Sequence, residues 1–271
     1  MEVAIVYFIY HFSTVSKILI STGWDAENYI KNTEVIDSEN SNVICEDLED
    51  FSMEIDNAVG ANLASMPIIC GGALENGTSS NKCFIYTKGG WQHFVTMIDR
   101  REYAAGIVYD NALHIFGGYD SEFTSRQITL QSSEIVNEDG TSTKGPQLPT
   151  PMSAHAIAFI NSTVSIISGV RTWNWNMSNS YTYKSWYFNH ATQEFQVGPN
   201  LLEPRRHHSS GTITDQESKE KTVIVTGGVN GSAMDSTEIL LNGKWVTGKN
   251  HRFVNFCAFT YRIVPSSNAR Y

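Results

Sequence analysis

Charged residues are scarce in this chain, and the positive ones are the scarcer kind. They make up 17% of its 271 residues, with 19 Lys and Arg against 28 Asp and Glu, where about a quarter is usual. The formal net charge of −9 would repel a phosphate backbone, and no cluster of Lys and Arg interleaved with aromatics offsets it locally. We therefore expect no nucleic-acid partner.

Long apolar runs are missing too, so no membrane span is predicted. The N-terminal run, residues 3–12, is too short to cross a bilayer as a helix but has the length of a signal-peptide core. Glu2 stands where a signal peptide usually has a positive charge. Two interpretations of residues 1–16 stay open: a cleaved signal peptide before a domain of residues 17–271, or an inner β-strand of the first blade, paired with "KILIS".

Cysteine is sparse and lacks metal or redox spacing. None of the four cysteines forms a C-x-x-C pair, which argues against a zinc ribbon or a thioredoxin motif. Cys70 and Cys83 flank a turn-rich segment and are predicted to form a disulfide, worth roughly 3 kcal/mol on the chain-entropy model. Four buried free thiols are the alternative, and the sequence assigns no partner to Cys45 or Cys257.

Four Asn-x-Ser/Thr sequons favour the secretory route, because each lies near a predicted turn where a glycan could project. They are centred on Asn76, Asn161, Asn176 and Asn230. We expect a secreted glycoprotein, with a cytoplasmic protein as the alternative.

Glycine-terminated apolar runs, in contrast, occur five times at intervals near 50 residues. They are "KILISTG", "PIICGG", "LHIFGG", "VSIISG" and "TVIVTGG". A strand precedes each of the later runs, and two further short strands follow each run after a polar loop, which is the pattern of a propeller blade. The glycines are therefore predicted to be structural: Gly23, Gly71, Gly72, Gly117, Gly118, Gly169, Gly227 and Gly228.

Other features keep the same register. Trp91, Phe195 and Trp245 begin the fourth strand of their repeats, and "EPRRHHSSGTI" carries a Pro-Arg entry to the next blade. Together with the glycine pairs, these features resemble the kelch repeat family over about residues 17–260. Met152 stands where Arg is usual, and Asp99 replaces Pro. The resemblance implies an all-β, kelch-type propeller of four-stranded blades.

The number of blades is less certain than their type. Five are recognisable, and we expect the C-terminal run, residues 254–263, to pair with "KILISTG" and close a five-bladed ring, which would remove exposed strand edges. A six-bladed parent with its last blade missing is the alternative.

No motif for catalysis, a cofactor or a metal is present. No helix follows Gly118 to form a dinucleotide site, and in "GKWVTGKN" Asn250 occupies the place where a P-loop needs Ser or Thr. The adjacent His207 and His208 should point to opposite faces of a strand, and His208 is aligned with His155 and Tyr103 in a packing role. We predict no enzymatic activity, no cofactor and no bound metal.

An aromatic insertion, residues 171–186, and the arginines of the last blade entry are the candidate partner contacts. The residues are Trp173, Trp175, Tyr181, Tyr183, Arg205 and Arg206. An extended hairpin with cross-strand aromatic packing is the alternative for the insertion. The expected function is a non-catalytic scaffold that binds a protein or glycan through loops on one face. A carbohydrate-active enzyme or lectin is the alternative, favoured if Arg, Tyr and carboxylates converge at the channel mouth.

Overall fold

The computed structural model describes residues 4–12, 15–24, 29–37, 43–44, 49–121, 127–174, 177–214 and 221–250. Its side chains are described over 21–23, 29–33, 49–121, 128–169, 182–214 and 221–250. All regular secondary structure in these ranges is β-strand, so the predicted all-β class is confirmed.

An N-terminal sheet and four blades follow one another along the chain, and each has four antiparallel strands. The N-terminal sheet contains β1 (Ala4–Phe12), β2 (Val15–Trp24), β3 (Tyr29–Asp37) and β4 (Val43–Ile44). After β5 (Ile55–Asp56), blade A contains β6 (Val59–Leu63), β7 (Met66–Cys70), β9 (Lys82–Thr87) and β10 (Gly90–Thr96), with β8 (Ala73–Leu74) paired to β5.

The remaining blades repeat this plan. Blade B contains β11 (Ala105–Tyr109), β12 (Ala112–Phe116), β15 (Ser133–Asn137) and β16 (Ser142–Lys144), with the side hairpin β13 (Tyr119–Ser121) and β14 (Gln127–Thr129). Blade C contains β17 (Ala156–Phe159), β18 (Val164–Asn174), β19 (Met177–Asn189) and β20 (Glu194–Val197). Blade D contains β21 (Ser209–Thr214), β22 (Lys221–Thr226), β25 (Thr237–Leu241) and β26 (Lys244–Thr247), with the side hairpin β23 (Val229–Asn230) and β24 (Ser232–Ala233).

The sheets are arranged as the blades of a propeller. The inner strands β1, β6, β11, β17 and β21 contact one another in sequence, and apolar clusters fill the spaces from blade A to blade D. The propeller class is therefore confirmed. Side-chain packing is described for four blades, one fewer than the predicted five. The remaining four-stranded sheet is the N-terminal one, and most of its side chains lie outside the described set.

Both chain ends bear on how the ring closes. Strand β1 pairs with β2, with Ile9 opposite Ile18, which is the pairing expected if residues 1–16 contribute an inner strand. The division of the chain at residue 16 stays a prediction. The run predicted to close the ring, residues 254–263, lies outside the described residues.

Cross-strand register agrees with two groups of residues singled out in the sequence. Cys70 and Cys83 lie directly opposite each other on β7 and β9 and form the predicted disulfide. Trp91, Phe195 and Trp245 face Tyr86, Phe188 and Leu240 across the outer strand pairs, so they occupy one position in three blades.

Glycine is required where the second strand of blades A, B and C meets the next blade. Gly71 and Gly117 have φ of 71° and 57°, and a Cβ at either would collide with the main-chain carbonyl of Arg101 or Met152. Thr22 occupies the same place in the N-terminal sheet with φ 60°. Its hydroxyl donates a hydrogen bond to the carbonyl of Ile55, so the side chain uses the acceptor with which a methyl would clash.

We call the residue whose carbonyl lies against the preceding blade in this way the anchor. The anchors are Ile55, Arg101, Met152 and Arg205. In blades B and D the anchor is a fully buried arginine. Arg101 donates to the carbonyl of Gly117 at 2.7 Å and pairs with buried Glu134 at 3.0 Å. Arg205 makes the same contacts with Gly227 at 2.8 Å and Glu238 at 2.8 Å. Because backbone amides also donate to both carboxylates, each carboxylate is well hydrogen-bonded despite its burial, whereas the Nε of each arginine has no hydrogen-bond partner among the described residues.

Blades A and C fill the same two positions with apolar side chains. Ile55 and Phe84 belong to one buried cluster, and Met152 and Trp186 belong to another. Blade C has Met152 where blades B and D have an arginine, and it also has Trp186 where they have the glutamate. From blade A to blade D, the anchor and its partner alternate between an apolar pair and an ion pair.

Replacing Arg101 by Met should leave Glu134 as an uncompensated buried charge and lower the free energy of unfolding by about 3–5 kcal/mol. The double variant Arg101→Met, Glu134→Trp copies blade C and should recover at least half of that loss. Denaturant unfolding measures both, with Arg100→Met, at the adjacent exposed arginine, as the matched control. A loss below about 1 kcal/mol for Arg101→Met would contradict the anchor role.

Candidate functional site

Three backbone hydrogen bonds link the entry segments of blades A to D where their inner strands begin, the end that we call the mouth of the propeller. Two residues after each anchor, the chain adopts a left-handed conformation, with φ between 51° and 54° at Asn57, Tyr103, Ala154 and His207. The amide of Tyr103 donates to the carbonyl of Asn57 at 3.0 Å, Ala154 to Tyr103 at 2.8 Å, and His207 to Ala154 at 2.9 Å. We call these four residues the entry ring and the side of the propeller that carries them the entry face.

The entry ring presents side chains above a rigid backbone. Asn57, Tyr103 and His207 are half-buried, and the rings of Tyr103 and His207 meet edge to face with centroids 5.0 Å apart. Tyr103 belongs to blade B and His207 to blade D, so this contact passes over Ala154 of blade C. An aromatic surface therefore spans three blades at the mouth.

A buried carboxyl group lies beside this surface. Glu102 precedes Tyr103, is 7% exposed and accepts a hydrogen bond from the hydroxyl of Ser79 at 3.3 Å. Ser79 in turn bonds to the hydroxyl of Ser121 at 2.8 Å. Ser79 comes from the loop that follows the glycine pair of blade A, and Ser121 comes from β13, which follows the glycine pair of blade B.

The ionisation of Glu102 is shifted by this environment. Burial raises the pKa of Glu102 to about 7, and the negative charges of Asp56 and Asp120 add to that rise, whereas hydrogen bonds from Ser121 and Ser79 oppose it. Burial also raises the pKa of the Tyr29 hydroxyl, and the charges of Asp56 and Glu102 add to that rise. Around neutral pH, Glu102 can donate or accept a proton at the mouth of the propeller.

Two histidines below the mouth have a packing role. His155 and His208 follow the entry ring directly and are buried, and burial lowers the pKa of His155 to about 4 and that of His208 well below its usual value. The alignment of His208 with His155 is correct, but Tyr103 matches His207. Ala104 is the true counterpart of His208, since φ near 50° marks the residue before it in each blade.

The predicted partner contacts occupy different environments. Arg205, a predicted partner contact, is fully buried as an anchor, where its side chain binds the carbonyl of Gly227 and the carboxylate of Glu238. Arg206 is half-buried beside the entry ring and pairs with Val229 through the backbone. The difference follows from position, because Arg205 fills the anchor position and Arg206 lies one residue further along the entry segment.

The aromatic insertion forms an extended hairpin of β18 and β19 that continues past Gly169 on the entry face. Tyr183 is 48% exposed. Trp173 and Tyr181 lie on the hairpin with only their backbone described, and Trp175 lies outside the described residues. The hairpin alternative is therefore correct for the backbone, and the binding role of these aromatics stays a prediction.

Three of the four sequons lie in exposed turns. Asn76 accepts from the amide and hydroxyl of Thr78, Asn161 makes the same contacts with Thr163, and Asn230 is exposed. Asn176 lies outside the described residues. Glycosylation stays a prediction at all four.

Among the residues that the structure describes, no group of three or more His, Cys, Asp or Glu side chains could hold a metal ion. The same residues include no apolar helix of a length that could cross a membrane.

In the acidic stretch before blade A, Glu54 pairs with Lys31 at 2.7 Å.

Comparison with known proteins gives no family for this chain. No protein-family model matches it, and no curated protein matches it. The propeller architecture and the entry face therefore carry the functional argument.

Replacing Glu102 by Gln should make stability less sensitive to pH. Because the folded pKa of about 7 exceeds the unfolded value, folding in the native protein weakens as pH rises from about 4.5 to 7. Thermal or urea unfolding should show the variant close to wild type below pH 4.5 and more stable by about 1–3 kcal/mol above pH 7.5. The exposed Glu138→Gln variant should follow wild type; equal pH profiles for Glu102→Gln and wild type would refute the shift.

Proposed function

We propose that this propeller is a non-catalytic scaffold that binds a protein or glycan partner through its entry face. The observation that carries the proposal is the Tyr103–His207 pair, which presents a half-exposed aromatic surface over three blades. Aromatic side chains held on a rigid framework bind partners at low entropic cost. The backbone hydrogen bonds of the entry ring supply that framework.

The carboxylates and aromatic rings of the entry face suit a partner of particular chemistry. Asp56 and Asp120, both half-buried, lie close enough to the buried Glu102 to raise its pKa, and the exposed Tyr183 stands on the hairpin at the same side. A carboxylate-rich mouth beside aromatic rings suits a partner surface carrying cationic or hydroxyl groups.

The kelch identity and the secreted location belong to this proposal. Glycine pairs at the blade junctions, the aromatic position of Trp91 and Trp245, and the buried arginine of the entry segment support kelch repeats. The Cys70–Cys83 disulfide and the exposed Asn76 and Asn161 turns support passage through an oxidising, glycosylating compartment.

A carbohydrate-active enzyme or lectin is the second candidate function. The observation that favours it is Glu102, a carboxyl group beside Tyr103 whose pKa burial raises to about 7. General acid–base catalysis uses groups with pKa values near the working pH. Under this alternative, Glu102→Gln abolishes turnover or sugar binding; under the scaffold proposal it leaves capture of a protein partner within about twofold.

The double variant Tyr103→Ala, His207→Ala should lose the partner while keeping the fold. Alanine is compatible with this backbone, because Ala154 holds the same conformation with φ 54°. Immobilised protein is incubated with extracellular and membrane extracts, and bound proteins and glycans are quantified by mass spectrometry. At least one partner retained by the wild type should fall about tenfold or more with the variant, as expected when a central aromatic contact is truncated.

The matched control is Val197→Ala, at a residue 83% exposed on the outer strand of blade C. It should retain the same partners as wild type. Equal retention by the entry-face variant would contradict binding through this face.

A further inference from the structure

A groove of about 330 Å³ opens between blades C and D on the side opposite the entry face. Its apolar floor includes Ile160, Val223 and Leu240, and its rim includes Tyr187, Lys221 and Asn242. Ile160 follows the end of β17, and Asn242 lies in the hairpin between β25 and β26. The groove is therefore built by two blades and lies far from the entry ring.

The corresponding junction between blades B and C is closed by aromatic rings. Tyr109 stacks on His190 with centroids 4.8 Å apart, His190 meets Phe188 at 4.7 Å, and His114 lies 5.0 Å from His190. Phe188, His190 and His114 are all buried. Four rings thus fill this space.

Register identifies the residues that replace these rings between blades C and D. Tyr109 pairs with Ala112, four residues before Phe116, and Ile160 bonds to Val164, four residues before Ser168. Ile160 is therefore the counterpart of Tyr109.

The other ring positions follow from the adjoining strand pairs. Leu113 pairs with Val136, Ser165 with Phe188 and Val223 with Leu240. Leu240 is therefore the counterpart of Phe188, and Asn242, two residues on, that of His190. Smaller side chains therefore line the groove at positions where the junction between blades B and C has rings.

The residues at the rim of the groove determine which kind of ligand it suits. Lys221 is exposed and carries the one formal charge among the described lining residues. Burial raises the pKa of the Tyr187 hydroxyl, which therefore stays a neutral hydrogen-bonding group. An apolar floor with a cation at its edge is complementary to a flat apolar body bearing an anion.

We propose that the groove between blades C and D binds a small aromatic carboxylate, with the ring in the space that Tyr109 and His190 fill between blades B and C and the carboxylate facing Lys221. Binding here is independent of the proposed entry-face function, since the two sites share no residue.

The test compares 4-hydroxyphenylacetate with its neutral analogue 2-(4-hydroxyphenyl)ethanol, using titration calorimetry and ligand-observed NMR. A probe of this size should bind with a Kd of the order of 1 mM. The acid should bind about fivefold more tightly than the alcohol at low salt, and Lys221→Met should remove that difference. Lys244→Met, at an exposed lysine on β26 outside the groove, is the matched control and should change neither probe.

A second variant tests the space itself. Ile160→Tyr with Asn242→His copies the closed junction and should abolish binding of both probes. Should that variant fail to fold, Lys221→Met still decides the charge requirement. No binding of either probe to the wild type, equal binding by the filled variant, or an unchanged preference in Lys221→Met would each overturn the proposal.

Discussion

The contact on which the rest of the structure depends is the main-chain one between each blade and the entry segment of the next. The amide of Gly72 donates to the carbonyl of Arg101 at 2.8 Å, and the amide of Gly118 donates to that of Met152 at 2.7 Å. Two residues further on, the entry ring repeats the link between neighbouring inner strands. Because these bonds use only backbone atoms, blades of different sequence can share one geometry, and glycine is needed where the approach is closest.

The side chain beneath each carbonyl is free to vary, provided that its partner varies with it. Arg101 with Glu134 and Met152 with Trp186 fill equivalent positions by opposite chemistry. Buried ion pairs and well-packed apolar pairs can be close in net stability, whereas a mixed pair leaves an unsatisfied charge. The same reasoning applies to the groove between blades C and D. Ile160 and Asn242 stand there in place of Tyr109 and His190, no larger side chain of the facing blade fills the difference, and space remains.

Sequence periodicity predicted the features that depend on local pattern. The glycine pairs, the cross-strand cysteines and the shared position of Trp91 and Trp245 follow from strand length and register, and the structure has them in those places. The burial of Arg205 was missed, because its partner Glu238 is 33 residues away in the chain. Glu102 was missed for a related reason, since the groups that shift its ionisation come from separate loops. Its position directly after the anchor was the available signal.

The central claim, that the entry ring ties the blades together, is tested most directly by hydrogen exchange of individual backbone amides. The amides of Tyr103, Ala154 and His207 should exchange as slowly as those in the middle of β12 and β22, because all are released only when blades separate. The amides of Asp110 and Asn111, in an exposed hairpin turn, should exchange fast in the same sample. Fast exchange at the entry ring with protected strands would contradict the account.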